Sequence, residues 1–406
     1  MPFLLFVVGL VVGGQINRAI YEWAWNKRLI SPWSPKPKDA AKRTWADCIP
    51  VWGWWLLRRE SKLHGKGFWV RPMLLELGCA FGLAALYHWV VVEGAQLPAA
   101  SGNPTQWQST LHWTFLANAI LFGFMAIATF IDFDEKTIPD YVTLPGTIVA
   151  LLFAVFAADS FLPVLAPGPA PAPTPVPILL SSPNNWPVWM DGTSGLIVGF
   201  ICWLGWCYGL LPKTVYFRRG VIKGICFLLA SIRRHPWTKR FLLLAVVGLA
   251  GISAVYFAGG SMWQCMLSSL VGMAFGGGLV WAIRIVSGYV LGVEAMGFGD
   301  VTLMAMIGAF LGWQAALVTF FLAPFTSLLL ALSQWLLTGR RDIPFGPFLC
   351  AGAAIVMIGW GMIWERYAGG FAMGLLIPAI IMVAIALMGI MLALLQVIKR
   401  MLGISY

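Results

Sequence analysis

Charge is scarce in this sequence. Of its 406 residues only 11% are Asp, Glu, Lys or Arg, 60% are hydrophobic, and the mean hydropathy is +0.81. A soluble globular chain needs far more polar surface, so that class is excluded and a polytopic membrane protein remains. Alternating strands of about ten residues are also missing, which excludes a β-barrel. Spanning segments must then be helices, since no water reaches the hydrocarbon and each backbone must pair with itself. The seven cysteines show no disulfide spacing, so no disulfide framework is expected. Cys79, Cys202, Cys207 and Cys350 lie in or beside apolar runs and read as small buried hydrophobes. The opening "MPFLLFVVGLVVGG" has neither a basic n-region nor an A-x-A-like cleavage site, and reads as a retained first span.

What is present is a series of apolar runs long enough to cross a bilayer core of about 30 Å. They fall near residues 3–22, 73–92, 111–131, 142–162, 193–212, 241–260, 265–284, 301–318, 319–338, 347–364 and 371–396. The stretch 301–338 is read either as two spans broken near Phe321–Pro324 or as one span with a re-entrant piece. Segment 24–72 holds eleven of the 27 basic residues, and 213–240 holds eight more with no acid. No Lys or Arg lies between 72 and 135 or between 137 and 212. The inside-positive rule then predicts an all-α polytopic membrane protein of about 11 transmembrane helices with its N-terminus outside. The net charge of +11 is accounted for by loops facing anionic headgroups, so membrane lipids are expected partners and nucleic acid is not. Segment 163–187 is Pro-rich and uncharged, and is predicted to be an extended, stiff outer linker. Most of the 22 tryptophans cluster at predicted boundaries and read as interface anchors, and the 17 methionines as packing filler.

Two segments carry acids where a membrane helix begins or ends. In "FIDFDEKTIPDYVTLPG", residues 130–146, Asp132 closes an apolar span. An i,i+4 pair with Lys136 at the membrane boundary would account for it. Pro139 biases Ile138 toward extended geometry, so the helix should stop there. In "GVEAMGFGDVTLMAMIGAFLGW", Gly297 and Gly299 precede Asp300, which opens an apolar run. Asp300 reads as an N-cap, and the glycines as room for close helix packing or for a substrate backbone. A lone carboxylate in the membrane costs about 2.5–3.5 kcal/mol on insertion scales. Two placed together cannot easily both ionise, and such a pair shares one proton, fit for drawing a proton from water and polarising a carbonyl. Spacing alone does not bring together residues 168 positions apart.

The two segments together resemble the prepilin leader peptidases, membrane aspartic proteases of type IV pilus and type II secretion systems. "GFGD" is similar to their GxGD motif, and Asp132, seven residues before Pro139-Asp140, to their other aspartate segment. The resemblance implies a GxGD protease-like bundle with Asp132 and Asp300 as catalytic acids. Gly297, Gly299, Glu294, Pro139, Asp140, Pro344 and Gly346 would shape the site or bind substrate, the last two through "IPFGPFL" at 343–349. "GGQINRAIY" at 13–21, "DCIPVWGWWLLRR" at 47–59 and "RPMLLEL" at 71–77 are similar to the family's N-terminal part.

The chain departs from the family in four respects. Lys36, Asp39, Ser61 and His64 stand where the family has two CxxC pairs that bind zinc. A charged lysine offers no lone pair and serine is a poor ligand, so zinc is not expected. N-methylation with S-adenosylmethionine, associated in the family with that domain, is expected only if the activity survives the lost cysteines. No Rossmann-type glycine fingerprint gives independent support for a methyl donor. Residues 163–262 look like an insertion, and residues 354–406 like an extension; Thr302 stands where the family often has lysine.

The resulting domain reading has first spans and a basic loop at 1–92, spans bearing the first aspartate at 111–162, and an outer linker at 163–192. Inserted spans follow at 193–262, the peptidase core at 265–353, and the extension. The resemblance implies an inner-membrane endopeptidase that cuts the leader from type IV pilin-like precursors at the cytoplasmic face and needs no cofactor for cleavage. Pilus or secretion machinery would be a further partner. A transporter or channel using the two acids, and a presenilin-like protease, are the rivals. Neither two similar halves with paired broken helices nor a Pro-Ala-Leu signature is evident.

Overall fold

A computed structural model describes residues 1–35, 40, 42–166, 174–211, 230, 234–235, 237–292, 296–338, 344–374 and 376–401. Glu294, Lys36, Asp39, Arg340, Arg341 and most of the basic segment 213–240 lie outside the described residues. The apolar runs form helices: α1 (Pro2–Glu22), α2 (Val70–Tyr87), α3 (Gln108–Glu135), α4 (Asp140–Phe156), α5 (Thr193–Leu210) and α6 (Thr238–Ala258). They continue with α7 (Gly260–Leu291), α8 (Phe298–Thr338), α9 (Gly346–Ile358), α10 (Trp360–Phe371) and α11 (Leu376–Met401). Among the described residues eight helices are long and apolar enough to cross a membrane, or nine if the bent pair α9–α10 is one span. The chain is a multi-pass helical membrane protein.

Small residues set how closely these helices pack. Inside lipid no hydrophobic force drives helices together, so close backbone contact matters more. A Cβ on Gly9 of α1 would lie 2.6 Å from the Cα of Ala80 on α2. On α7, side chains at Gly272 and Gly276 would collide with the carbonyls of Gly308 and Met304 on α8. The α7–α8 seam is therefore nearly backbone on backbone, and Leu303, Met304, Met306 and Ala309 are fully buried there.

Helix α8 is not one straight rod. Gly312 has φ 81° and ψ 166°, which breaks the helix. A straight helix would carry Thr326 about 39 Å from Asp300 at 1.5 Å per residue. Instead the Thr326 hydroxyl donates to Phe348 O at 3.1 Å, in the first turns of α9, where Gly346 touches Asp132. The chain thus enters at Asp300, turns at Gly312 and returns to the same level. The break expected near Phe321–Pro324 lies instead at Gly312, where glycine alone tolerates the positive φ; Pro324 sits inside the returning helix. The span expected at 347–364 is also different: α9 stops at Ile358 and α10 leaves it at 92°.

At the far end the Pro-rich segment docks rather than merely extending. Pro163–Leu165 and Pro175–Pro177 pair as two antiparallel strands, β1 and β2, and residues 167–173 between them lie outside the described residues. Ile178 is buried, the Gln314 amide donates to Leu179 O (2.8 Å) and Ser182 O (3.1 Å), and the Trp313 indole to Leu180 O (2.8 Å). These donors follow the Gly312 turn directly and satisfy carbonyls of the docked segment, while Gln314 Oε1 is buried without a partner among the described residues.

Between α1 and α2 a small domain is held by buried ion pairs. Arg43 donates to both Glu60 oxygens (3.2 and 3.0 Å) and to the carbonyls of Ser31, Ser34 and Leu29. Burial pushes the Asp47 carboxyl up, but the Thr44 N–H and the Arg59 guanidinium outweigh it and hold it below the usual carboxylate range. Glu76 of α2, itself buried, accepts from Val51 N (2.5 Å), Trp54 Nε1 (2.7 Å) and Asn17 Nδ2 (3.4 Å), tying this domain to α1 and α2.

Candidate active site

Asp132 sits on the last turn of α3. That helix ends because Lys136 adopts the left-handed conformation (φ 54°) and its N–H returns to Asp132 O at 2.8 Å. Pro139 (φ −75°) then stands as the N-cap residue of α4, so 137–139 is a tight link between two helices. Asp300 lies in the first turn of α8, two residues past its start at Phe298. It is not the N-cap residue that its position in the sequence predicts. Its carboxylate reaches back to accept the Gly297 N–H, the return half of a capping box.

The two aspartates are 4% and 7% exposed, and their carboxyls are close enough to interact electrostatically. Asp132 accepts the N–H of Gly346 at the start of α9. Its Oδ2 is buried and has no hydrogen-bond partner among the described residues. Ile138 fits between the two glycine turns. A Cβ on Gly299 would lie 2.9 Å from Ile138 Cβ and 3.0 Å from Ile138 O. A Cβ on Gly346 would lie 2.7 Å from Ile138 Cδ1 and 2.6 Å from Asp132 Oδ2. Glycine at both positions is thus what lets three chain segments converge on the acids.

Of the other residues singled out from the sequence, Gly299, Gly346 and Pro139 line this convergence. Gly297 supplies its N–H and is otherwise exposed, Pro344 is half-buried two residues before Gly346, and Asp140 is exposed at the start of α4. Glu294 lies outside the described residues. Two neighbours escaped sequence reasoning. Cys350 is buried, donates to Met125 O at 3.7 Å and feels both carboxyls. Ile138 could have been found from its place just before Pro139 in the first motif. Thr302 turns its hydroxyl to Gly299 O at 3.1 Å, within its own helix.

The positions aligned with zinc ligands do not fit the metal. The Ser61 hydroxyl donates to Arg58 O at 2.5 Å, and His64 Nε2 lies 3.4 Å from Glu60 Oε2. A charged Lys36 in the same set has no lone pair, so four N or S donors are not on offer.

Fold and site together define a helical membrane protein with a buried pair of aspartates where two helix ends meet. Residues 229–332 match the type IV leader peptidase family, a segment that includes α7, Asp300 and most of α8. A prepilin leader peptidase/N-methyltransferase of Pseudomonas aeruginosa is 34% identical over 130 residues, 31% of this chain and 43% of that protein. One from Aeromonas hydrophila is 31% identical over 104 residues, 25% of this chain and 34% of its own length. One from Stutzerimonas stutzeri is 25% identical over 173 residues, 41% and 56% of the two chains. The chain spans only about a third to just over half of these curated relatives, and its similarity to the type IV leader peptidase family rests on these stretches. No solved structure matches.

Proposed function

We propose that this protein is an aspartic endopeptidase of the bacterial inner membrane that removes the leader from type IV pilin-like precursors. Asp132 and Asp300 would be its catalytic acids. The observation that carries the reading is their meeting, buried, from positions 168 residues apart, with one oxygen of Asp132 free to accept a proton. The pair holds one proton between them. The ionised member draws a proton from water, whose oxygen attacks the scissile carbonyl carbon. The protonated member gives its proton to the carbonyl oxygen. The tetrahedral diol then collapses: the ionised member takes a proton from one diol hydroxyl as the C=O bond reforms, the C–N bond breaks, and the leaving nitrogen takes the proton of the other member, so the pair again holds one proton. Gly297, Gly299 and Gly346 leave space for an extended substrate beside the acids.

The end bearing the aspartates is taken as cytoplasmic. Arg71, Lys136 and Arg284 all lie near that level, as the inside-positive rule requires. In this reading each arm of α8 is a pass of its own, α4 and α9 are also passes, and α10 lies on the outer surface, which makes eleven passes from an outer N-terminus. Trp25, Trp45 and Trp52 are 78%, 88% and 54% exposed on the small domain, and Arg58 lies 4.2 Å over the half-exposed Trp55 ring, which suits anionic headgroups of the inner leaflet.

Separate Asp132→Asn and Asp300→Asn variants test the reading with a co-expressed, tagged pilin-like precursor. Each is expected to accumulate in the membrane yet cut at least about 1,000-fold more slowly. Normal processing by either one refutes the assignment.

A further inference from the structure

Resting on the reading above, we propose that α1, α2 and the loop after α1 act as a clamp that sets the direction of Asp132, with Arg71 as the positioning residue. Both acids that follow Asp132 are engaged by the N-terminal part of the chain. Arg71, at the start of α2, forks onto Asp134 with Nη1–Oδ1 at 2.7 Å and Nη2–Oδ2 at 2.9 Å. Its guanidinium also lies 5.1 Å from the Phe130 ring of α3 and 6.0 Å from the Tyr21 ring of α1. Glu135 accepts the N–H groups of Trp25 and Asn26, just beyond α1, one on each oxygen at 2.8 Å.

The helical repeat explains why this matters for Asp132. At about 100° per residue, Asp134 projects about 200° from Asp132 around α3. Holding Asp134 on the outer side therefore turns Asp132 inward, toward Gly346 and Asp300. The turn involved is the last of α3, where only the Lys136 cap and the 137–139 link follow. Such a helix end frays unless it is tied down. A bidentate guanidinium–carboxylate pair fixes orientation as well as distance, which a lysine in place of Arg71 could not do. The pair is partly open to solvent, with side chains 38% and 20% exposed, so its main effect is on geometry rather than on global stability.

The test uses the full chain in native membranes with a tagged pilin-like precursor, measuring kcat and KM separately. Arg71→Gln and Asp134→Asn are each expected to lower kcat by about a hundredfold, the scale of a misplacement near 1 Å. KM should stay within about twofold, because substrate contacts are unchanged. The double variant should be no slower than either single one, and the exchange Arg71→Asp with Asp134→Arg should recover much of the rate. Arg71→Lys should recover little. If Arg71→Gln fails to accumulate, Glu135→Gln gives the same reading, with the same selective fall in kcat.

Full kcat in the accumulated single variants, additive losses, or an exchange variant that accumulates without recovery overturns the clamp. Asp132→Asn in the same assay separates the two claims. If it still cuts, the peptidase assignment falls. If it is inactive while Arg71→Gln is normal, only the clamp falls.

Discussion

Substituting Gly346 by alanine isolates the position of Asp132 from the rest of the fold. The added Cβ would stand 2.6 Å from Asp132 Oδ2 and 2.7 Å from Ile138 Cδ1. Ordinary contact begins at about 3.4 Å, so both neighbours must yield, Asp132 Oδ2 by about 0.8 Å and Ile138 Cδ1 by about 0.7 Å. Ile138 ends in a flexible methyl and can swing aside. Asp132 has a short side chain and can move only by turning its carboxylate away from the Gly346 N–H. Overpacking of this kind costs about 1–3 kcal/mol, while alanine in place of glycine at a helical residue returns up to about 1 kcal/mol. Net destabilisation should be about 0–3 kcal/mol, small enough for a folded protein.

A shift approaching 1 Å at a reacting group is worth far more in rate, about 10- to 100-fold in kcat. Gly346→Ala should therefore accumulate normally, unfold within a few degrees of the parent as followed by tryptophan fluorescence, and process a tagged precursor at a small fraction of the parental kcat. Gly82→Ala is the control. A Cβ at Gly82 meets nothing within 4 Å, so processing should be unchanged. Parental kcat in Gly346→Ala, or an equal loss in Gly82→Ala, refutes the argument that glycine at 346 is there to seat Asp132.

Three other outcomes follow from the same coordinates. Gly299→Ala pushes against the backbone of Ile138 at 3.0 Å, which cannot swing aside. It should lower stability by about 1–3 kcal/mol as well as activity, seen as a lower unfolding midpoint. Glu76→Ala leaves the Val51 N–H and the Trp54 indole N–H without their acceptor. A loss of about 2–5 kcal/mol should appear as rapid proteolysis of the 23–69 domain while the C-terminal helices survive. Asp47 is held below its usual range by Thr44 and Arg59 against the opposing effect of burial. Its stabilising contribution is therefore fully present above the unfolded value near pH 4 and fades as pH falls through the lower folded value. Asp47→Asn should make the protease resistance of that domain less dependent on pH below about 4.

Much of the helix content was legible because lipid-facing helices announce themselves by apolar runs of adequate length. Asp132 and Asp300 stood out for the same reason, as acids at the ends of such runs. The course of the chain inside the runs was harder to read. Between Asp300 and Leu337 hydropathy is nearly continuous, and it reports composition without direction. Pro324 drew attention as a breaker but stays within the helix, while the turn falls at Gly312, whose neighbours Trp313 and Gln314 find partners 132 or more positions away in the Pro-rich segment. The pairing of Arg71 with Asp134 crosses 63 residues, and no local periodicity encodes it. Ile138 could be foreseen as extended, but its two glycine neighbours belong to segments far along the chain.

The closed bend of α8 has a consequence for where protons come from. Asp300 is only twelve residues from the bend, about 18 Å of helix, and beyond the bend the space is filled by Ile178 and by peptide groups already committed to Gln314 and Trp313. With the aspartate end cytoplasmic, as proposed above, the expected source of hydrogen ions for turnover is the cytoplasmic side. Acidifying the medium around intact cells with a well-buffered interior should leave the cutting rate unaltered, whereas lowering the internal pH should change it.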